Sequence, residues 1–182
     1  MSFGIPGYDR DIARAITDVG NVIMFAAASN GGKNRPRTYP ATDTKVIAVH
    51  AMSGNGDEGS INPTTEHQHD HLGTLGLGIR LRWRNEATYK NGTSYATPIA
   101  AGIAANWLEW LNYVAKDPSC GVTELQHATW GSPYGIRNIF TKVMSQRHHD
   151  LLYVAPWHLW NPDKKDLTDR DIIGRLNTTP GL

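Results

Sequence analysis

Asn91-Gly-Thr-Ser-Tyr-Ala-Thr-Pro-Ile-Ala-Ala-Gly102 puts a serine directly after a glycine turn and at the opening of a long apolar run. From Thr93 to Lys116 the chain is dominated by Ala, Ile, Leu and Trp. Its one proline there, Pro98, lies near the start, where a missing N–H is tolerated. This predicts a long, nearly buried helix. Ala96, Ala100, Ala101, Gly102, Ala104 and Ala105 would let strands approach closely, and Trp107, Leu108, Leu111 and Val114 are spaced to face a core. Ser94 then sits near the positive end of the helix dipole, its hydroxyl held by the backbone and its own N–H available to charge forming on an attacked carbon. In an arbitrary chain the plainer role of Gly-Thr-Ser is helix capping.

Outward from that helix, Ile12, Ala13, Ile16 and Val19 recur at helical spacing over Asp9 to Val19, and Gly20-Asn21 supplies a stop. Asn21 to Ala28 is a continuous apolar run ending in Ser-Asn-Gly-Gly, the pattern of a strand buried on both faces. Lys45 to His50 is a second such run after the link Arg35 to Thr44. Strand, helix and strand in this order predict an α/β fold, a parallel sheet flanked by helices. Met52 to Glu66, rich in Gly, Asn, Asp and Ser, reads as surface loop, and Leu72 to Trp83 as one or two short strands. Beyond Pro118 we expect a helix at Tyr134 to Arg147, an extended aromatic stretch at Tyr153 to Trp160 and a short helix at Leu167 to Leu176.

Gly92-Thr-Ser-Tyr-Ala-Thr-Pro98 closely resembles the nucleophile signature of subtilisin-like serine peptidases, Gly-Thr-Ser-x-Ala-x-Pro. Val22-Ile-Met-Phe-Ala-Ala-Ala-Ser-Asn-Gly31 resembles that family's apolar strand ending in the oxyanion asparagine, and Tyr39-Pro-Ala with Val46-Ile-Ala-Val resembles its next segment. The resemblance runs from Ser2 to about Val114, and the Ala28-Ser29-Asn30 variant is similar to divergent fungal subtilase-like domains. Many family members carry glycine where Ser29 stands. The resemblance implies a subtilisin-like fold and an endopeptidase acting on peptide or protein substrates, with Ser94 as nucleophile and Asn30 in the oxyanion hole. It implies substrate contacts from Ser2, Phe3, Gly4, Gly31, Gly92 and Thr93, the first three through main-chain pairing. An Asn that merely ends a strand in a turn is the blander alternative for position 30.

In that family the catalytic Asp and His precede the strand resembled by Ser2 to Gly4, so the expectation is a partial domain, truncated at its N-terminus. Residues 1–116 would be its recognisable catalytic part and residues 117–182 an extension packed on it. With no base for Ser94 in its expected place, the alternative is a non-catalytic remnant that binds peptides or a partner, including a missing N-terminal part or neighbouring domains. Asp18-Val-Gly20 superficially resembles the family's aspartate turn but ends a helix. His67-Gln-His-Asp-His71 offers three alternating histidines, yet lies between Asn30 and Ser94, and Leu72 separates His71 from Gly73-Thr74. A His-rich surface loop is its plainer reading, as the solvated end of a helix is for His148-His149-Asp150. Cys120 has no basic neighbour, and Trp107, Trp110, Trp130, Trp157 and Trp160 read as core and lid packing. His127, Asp163 and Asp166 fit no spacing rule.

Composition bounds the partners. The 182 residues are 40% hydrophobic, enough for a real core, and 18 Lys and Arg balance 17 Asp and Glu. Without a basic field, neither nucleic acid nor a membrane surface is an expected partner, and no apolar run approaches the roughly 20 residues of a bilayer span. No cofactor or metal is expected; no carboxylate-rich loop marks a calcium site. A lone cysteine and an opening without a secretory pattern lean towards an intracellular setting.

Overall fold

The apolar run after Gly20 forms β1 (Met24–Ala27) and the next forms β2 (Val46–Met52), paired in parallel with Met24 opposite Val46 and Ala27 opposite Val49. The computed structural model describes residues 1–64, 71–160 and 166–182. All seven residues of β2 are buried, as expected of a strand covered on both faces. Their alternation divides the core. Phe25, Ile47, Val49 and Ala51 face one cluster, while Ala26, Val46 and Ala48 face another built with Tyr39 and with Ile16 of α1 (Arg10–Asp18). That helix starts where the Asp9 carboxylate accepts from the amides of Asp11 and Ile12.

β3 (Leu72–Leu75) lies parallel to β2, and β7 (Leu151–Val154) parallel to β3. β6 (Ser145–His148) runs antiparallel to β7 and closes one edge, giving the order β1-β2-β3-β7-β6. A separate antiparallel ribbon pairs β4 (Ile79–Trp83) with β5 (Glu86–Lys90). The architecture is the α/β fold with a mostly parallel sheet that the sequence predicts.

The larger face is covered by α2 (Thr93–Val114), which buries Ala96, Ala100, Ile103, Ala104, Trp107, Leu111 and Val114. It is less enclosed than expected, because Ala101, Gly102 and Ala105 face solvent. What brings it close is Gly76: a β-carbon there would lie 2.7 Å from Cβ of Ala51 and 2.9 Å from Cβ of Ala96. The same core takes Trp130 from α3 (Glu124–Trp130), Ile136, Ile139 and Phe140 from α4 (Pro133–Lys142), and Ile172, Ile173 and Leu176 from α5 (Asp169–Thr178). Trp107 is fully buried and donates from its indole to Trp130 O; Trp110 donates to Asp169 at 2.8 Å. Trp157, by contrast, is 48% exposed, so it is not core packing.

Several expectations need correcting. The helix predicted to reach Arg147 stops at Lys142, and of His148-His149-Asp150 the first ends β6 while His149-Asp150 is the turn of the β6–β7 hairpin, with His149 at φ +50°. The chain instead folds straight back on itself, β6 pairing with β7 through a two-residue turn. The aromatic stretch leaves the extended conformation after Val154 and makes a short 3-10 turn at Pro156–His158. α3 and β5 were not anticipated. The 52–66 stretch is not all surface either, since Asn62 is 2% exposed and exchanges two hydrogen bonds with the Ala51 backbone, accepting at 2.9 Å and donating at 2.7 Å. Its amide stands in for a piece of neighbouring strand. Asn62→Ala orphans both backbone groups and is expected to lower stability by roughly 2–4 kcal/mol in urea unfolding; a loss below about 1 kcal/mol would mean that water replaces the amide.

His50 on β2 is fully buried, its Nδ1 3.1 Å from Leu72 O and its Nε2 without a hydrogen-bond partner. Burial pushes its pKa down to about 4, the Leu72 carbonyl opposing and the nearby Arg37 and His71 assisting. Above its unfolded value the neutral ring carries no penalty. As pH falls from about 6.5 towards 4 the unfolded chain takes up a proton that the folded chain refuses, so stability declines by up to about 3 kcal/mol. Comparing melting temperatures at the two ends of that window should show a smaller acid loss in His50→Gln than in the parent; equal losses would remove His50 from the explanation.

Candidate active site

Four amides open α2, and three have acceptors. Gly92 N donates to Gly76 O at 2.8 Å, Thr93 N to Asn30 Oδ1 at 2.9 Å, and Tyr95 N to Gly92 O at 3.0 Å. Ser94 N has no acceptor among the described residues, so it is the free donor of the helix N-terminus. Thr93 Oγ1 also donates to Asn30 Oδ1, at 3.1 Å. With its carbonyl oxygen engaged twice, Asn30 has no acceptor for its Nδ2 among the described residues, and that nitrogen lies close to Gly92, where a β-carbon would stand 3.5 Å from it. Two N–H donors without an acceptor among the described residues thus gather at the start of the helix that carries the serine.

Asn30 is exposed at the loop after β1, and that loop is strained. Ser29 has φ +137°, a region that favours glycine and costs a larger residue about 1–3 kcal/mol. Its hydroxyl accepts from Gly31 N at 3.2 Å and holds the turn. This gives a physical reason for glycine at that position elsewhere in the family resembled.

Met1 runs beside the outer edge of β1, its amino group donating to Phe25 O and its carbonyl accepting from Ala27 N. Ser2 therefore faces the start of α2. Ser94 Oγ donates to Ser2 O at 3.2 Å, and Ser2 Oγ donates to Ser94 O at 3.1 Å. Phe3 is 49% exposed, and Gly4 is also open to solvent on one side, while a β-carbon on it would collide with Thr38 Oγ1. A cavity of about 350 Å³ lies between this segment, β1 and α2, lined by Ser2, Phe25, Thr97, Pro98 and Ala101 among others. Ser2, Asn30, Gly92, Thr93 and Ser94 are thus linked by direct contacts; Phe3, Gly4 and Gly31 adjoin them in sequence.

No imidazole or carboxylate among the described residues hydrogen-bonds Ser94. His50 is sealed in the sheet, His71 precedes β3, and the His127 ring meets Asn112 Oδ1 at 2.8 Å. His148 and His158 stack near Tyr153 and Trp157. His67, His69, Asp70 and Asp163 lie outside the described residues, and Asp166 is exposed. Asp18 ends α1 and pairs with Arg14 on the surface. Cys120 is half-buried, with desolvation and the Asp117 carboxylate raising its thiol pKa. Among the described residues no group of His, Cys, Asp and Glu is arranged to hold a metal ion, and no helix is long and apolar enough to cross a membrane. Sequence reasoning missed the role of Thr93 as the anchor of Asn30, for which no local signal exists.

Comparison with known proteins matches this fold. The Subtilase family profile covers residues 1–130. The subtilisin-like protease het-Q2 of Podospora anserina is 31% identical over 91 residues, which are 47% of this chain and 25% of that protein. Among solved structures, the prenylagaramide maturation protease PagA superposes with a TM-score of 0.62 at 20% identity, covering 86% of this chain and 56% of that one. The protease domain of PatA, as an S218A mutant, gives 0.60 at 20% identity, covering 88% and 58%. The chain spans about a quarter of het-Q2 and under three fifths of the two structures. With most of its length matched by the profile and its mostly parallel sheet shared with these proteases, the chain belongs to the subtilase family of peptidases.

Proposed function

We propose that the chain carries the nucleophile and oxyanion side of a serine endopeptidase that cleaves peptide bonds through an acyl-enzyme on Ser94. The observation that supports this reading is the pair of donors without an acceptor among the described residues, Ser94 N and the Nδ2 of Asn30, the latter close to Gly92 and its residue held to Thr93, at the N-terminus of α2 where the Ser94 hydroxyl stands. Ser94 Oγ bonds to the substrate carbonyl carbon and gives its proton to a base. The carbonyl oxygen becomes an oxyanion, held by the two donors, which cost no reorganisation at that moment. Collapse expels the amine, which takes the proton from the base, and water repeats the sequence to release the acid and free Ser94. Ser2, Phe3 and Gly4 pair with the peptide main chain, and Gly31, Gly92 and Thr93 shape the floor.

The base in this reading is the family's histidine, held by its aspartate, from sequence beyond these 182 residues. Residues 1–116 then form the catalytic part of a partial domain and residues 117–182 an extension of it. A second reading, a peptide-binding module without turnover, draws on the engagement of the Ser94 hydroxyl by Ser2 O.

The two donors would polarise the P=O bond of a fluorophosphonate as they would a substrate carbonyl, which eases attack by the Ser94 hydroxyl even without its base. Slow labelling of the 182-residue chain by a fluorophosphonate probe, abolished by Ser94→Ala, is therefore expected. A folded chain that stays unlabelled would favour the binding module. Asn30→Asp keeps an acceptor for both Thr93 donors and removes the Nδ2 donor, so the melting temperature should hold while the labelling rate falls by roughly 10²–10³, the loss known for such a donor in subtilisin itself. An unchanged rate would take Asn30 out of the oxyanion hole.

A further inference from the structure

The β4–β5 ribbon concentrates charge that the rest of the chain lacks. Between Ile79 and Lys90 stand Arg80, Arg82, Arg84 and Lys90 against the single carboxylate of Glu86, in a chain whose net charge is +1. The tight turn Arg84-Asn85, with φ +47° and +68°, sets the register. Arg80 is opposite Tyr89 and Arg82 opposite Ala87, so these four share one face, and all four are exposed. Ile79, Leu81 and Thr88 occupy the other face and are half-buried. Tyr89 is 68% exposed and Trp83, at the tip, 69%. The ion pairs among the described residues, Arg14–Asp18 and Lys33–Glu58, involve none of the ribbon's cations. Charges that merely protect a ribbon edge from pairing could be of either sign and need no exposed aromatic rings beside them.

The ribbon is rooted at the candidate active site. Gly78 N donates to Asn91 Oδ1 at 2.7 Å and Gly92 N to Gly76 O at 2.8 Å, which clamps both ends, and Lys90 precedes Ser94 by four positions. Five-residue strands extend about 17 Å, the length of a short peptide segment. An open groove of about 370 Å³ runs along Arg80, Leu81, Arg82, Asn85 and Ala87.

We propose that this ribbon face is a docking strip for an acidic segment of the peptide substrate, with the Arg80 and Arg82 guanidinium groups pairing with side-chain carboxylates and Tyr89 covering their apolar stems. The proposal rests on the peptidase reading and names the chemistry of its substrate. Guanidinium forks match carboxylates in two-point hydrogen bonds, which a neutral amide side chain does not reproduce. The patch is confined to one short ribbon on a near-neutral chain, which suits a few carboxylates better than an extended polyphosphate.

Fluorescence anisotropy of the full chain with a labelled Glu-rich peptide, its Gln isostere and a single-stranded oligonucleotide of equal length tests this. The Glu peptide should bind about tenfold more tightly than the Gln peptide, and Arg80→Gln/Arg82→Gln should erase that difference. In the parent chain, raising salt from about 50 to 300 mM should weaken the Glu peptide several-fold and leave the Gln peptide unaffected, a readout that needs no variant. Equal affinities, a preference that survives in the double variant, or tighter binding of the oligonucleotide would overturn the proposal. Fluorophosphonate labelling of Ser94, scored separately, reports on the peptidase reading alone.

Discussion

The close seating of one helix on the sheet governs the arrangement. A β-carbon at residue 76 would push against both Ala51 and Ala96, so the absence of a side chain there sets how near α2 comes to β2. The carbonyl of the same glycine accepts the Gly92 amide, and the Asn30 side chain accepts the next amide. Helix depth and helix start are therefore defined by two backbone-scale contacts. Were α2 displaced by the width of a methyl group, the Asn30–Thr93 and Ser2–Ser94 bonds would both be lost, since each tolerates only a few tenths of an ångström.

How much of this is legible in the sequence depends on range. β1 and β2 are read correctly because strands buried on both faces leave continuous apolar runs, and α2 because its composition is uniform over many turns. The Glu86-Ala-Thr-Tyr-Lys90 strand carries no such mark: one face is wet, and its pairing is dictated by β4 across a tight turn. Ser145 to Arg147 fails because a short polar edge strand carries no apolar period to tell it from the exposed end of the preceding helix, and only its hairpin pairing with β7 fixes it. At the site, the Gly92 to Pro98 signature and the strand ending at Asn30 are visible as motifs. The hydrogen bonds joining them to Ser2 are not, because no local pattern encodes a contact between residues 92 apart.

Buried polarity is handled in two ways in the same strand. The Ala51 peptide is completed by a side-chain amide that satisfies both its donor and its acceptor. His50, one residue earlier, satisfies one nitrogen and leaves the other orphaned, and the ring remains neutral as a result. The adjacent positions show that burial of a polar group is tolerated either by complete pairing or by giving up its charge.

The reciprocal bonds between Ser2 and Ser94 also bear on the order of events in folding. The residues that converge on the serine come from positions 2, 30, 76 and 92–94, and the bonds from Ser2 and Asn30 close long loops, so they are entropically deferred until the sheet and α2 are in place. The two free donors are a property of the completed fold. A nascent or partly unfolded chain has the serine but not the donors beside it, so whatever chemistry the site supports belongs to the folded chain alone.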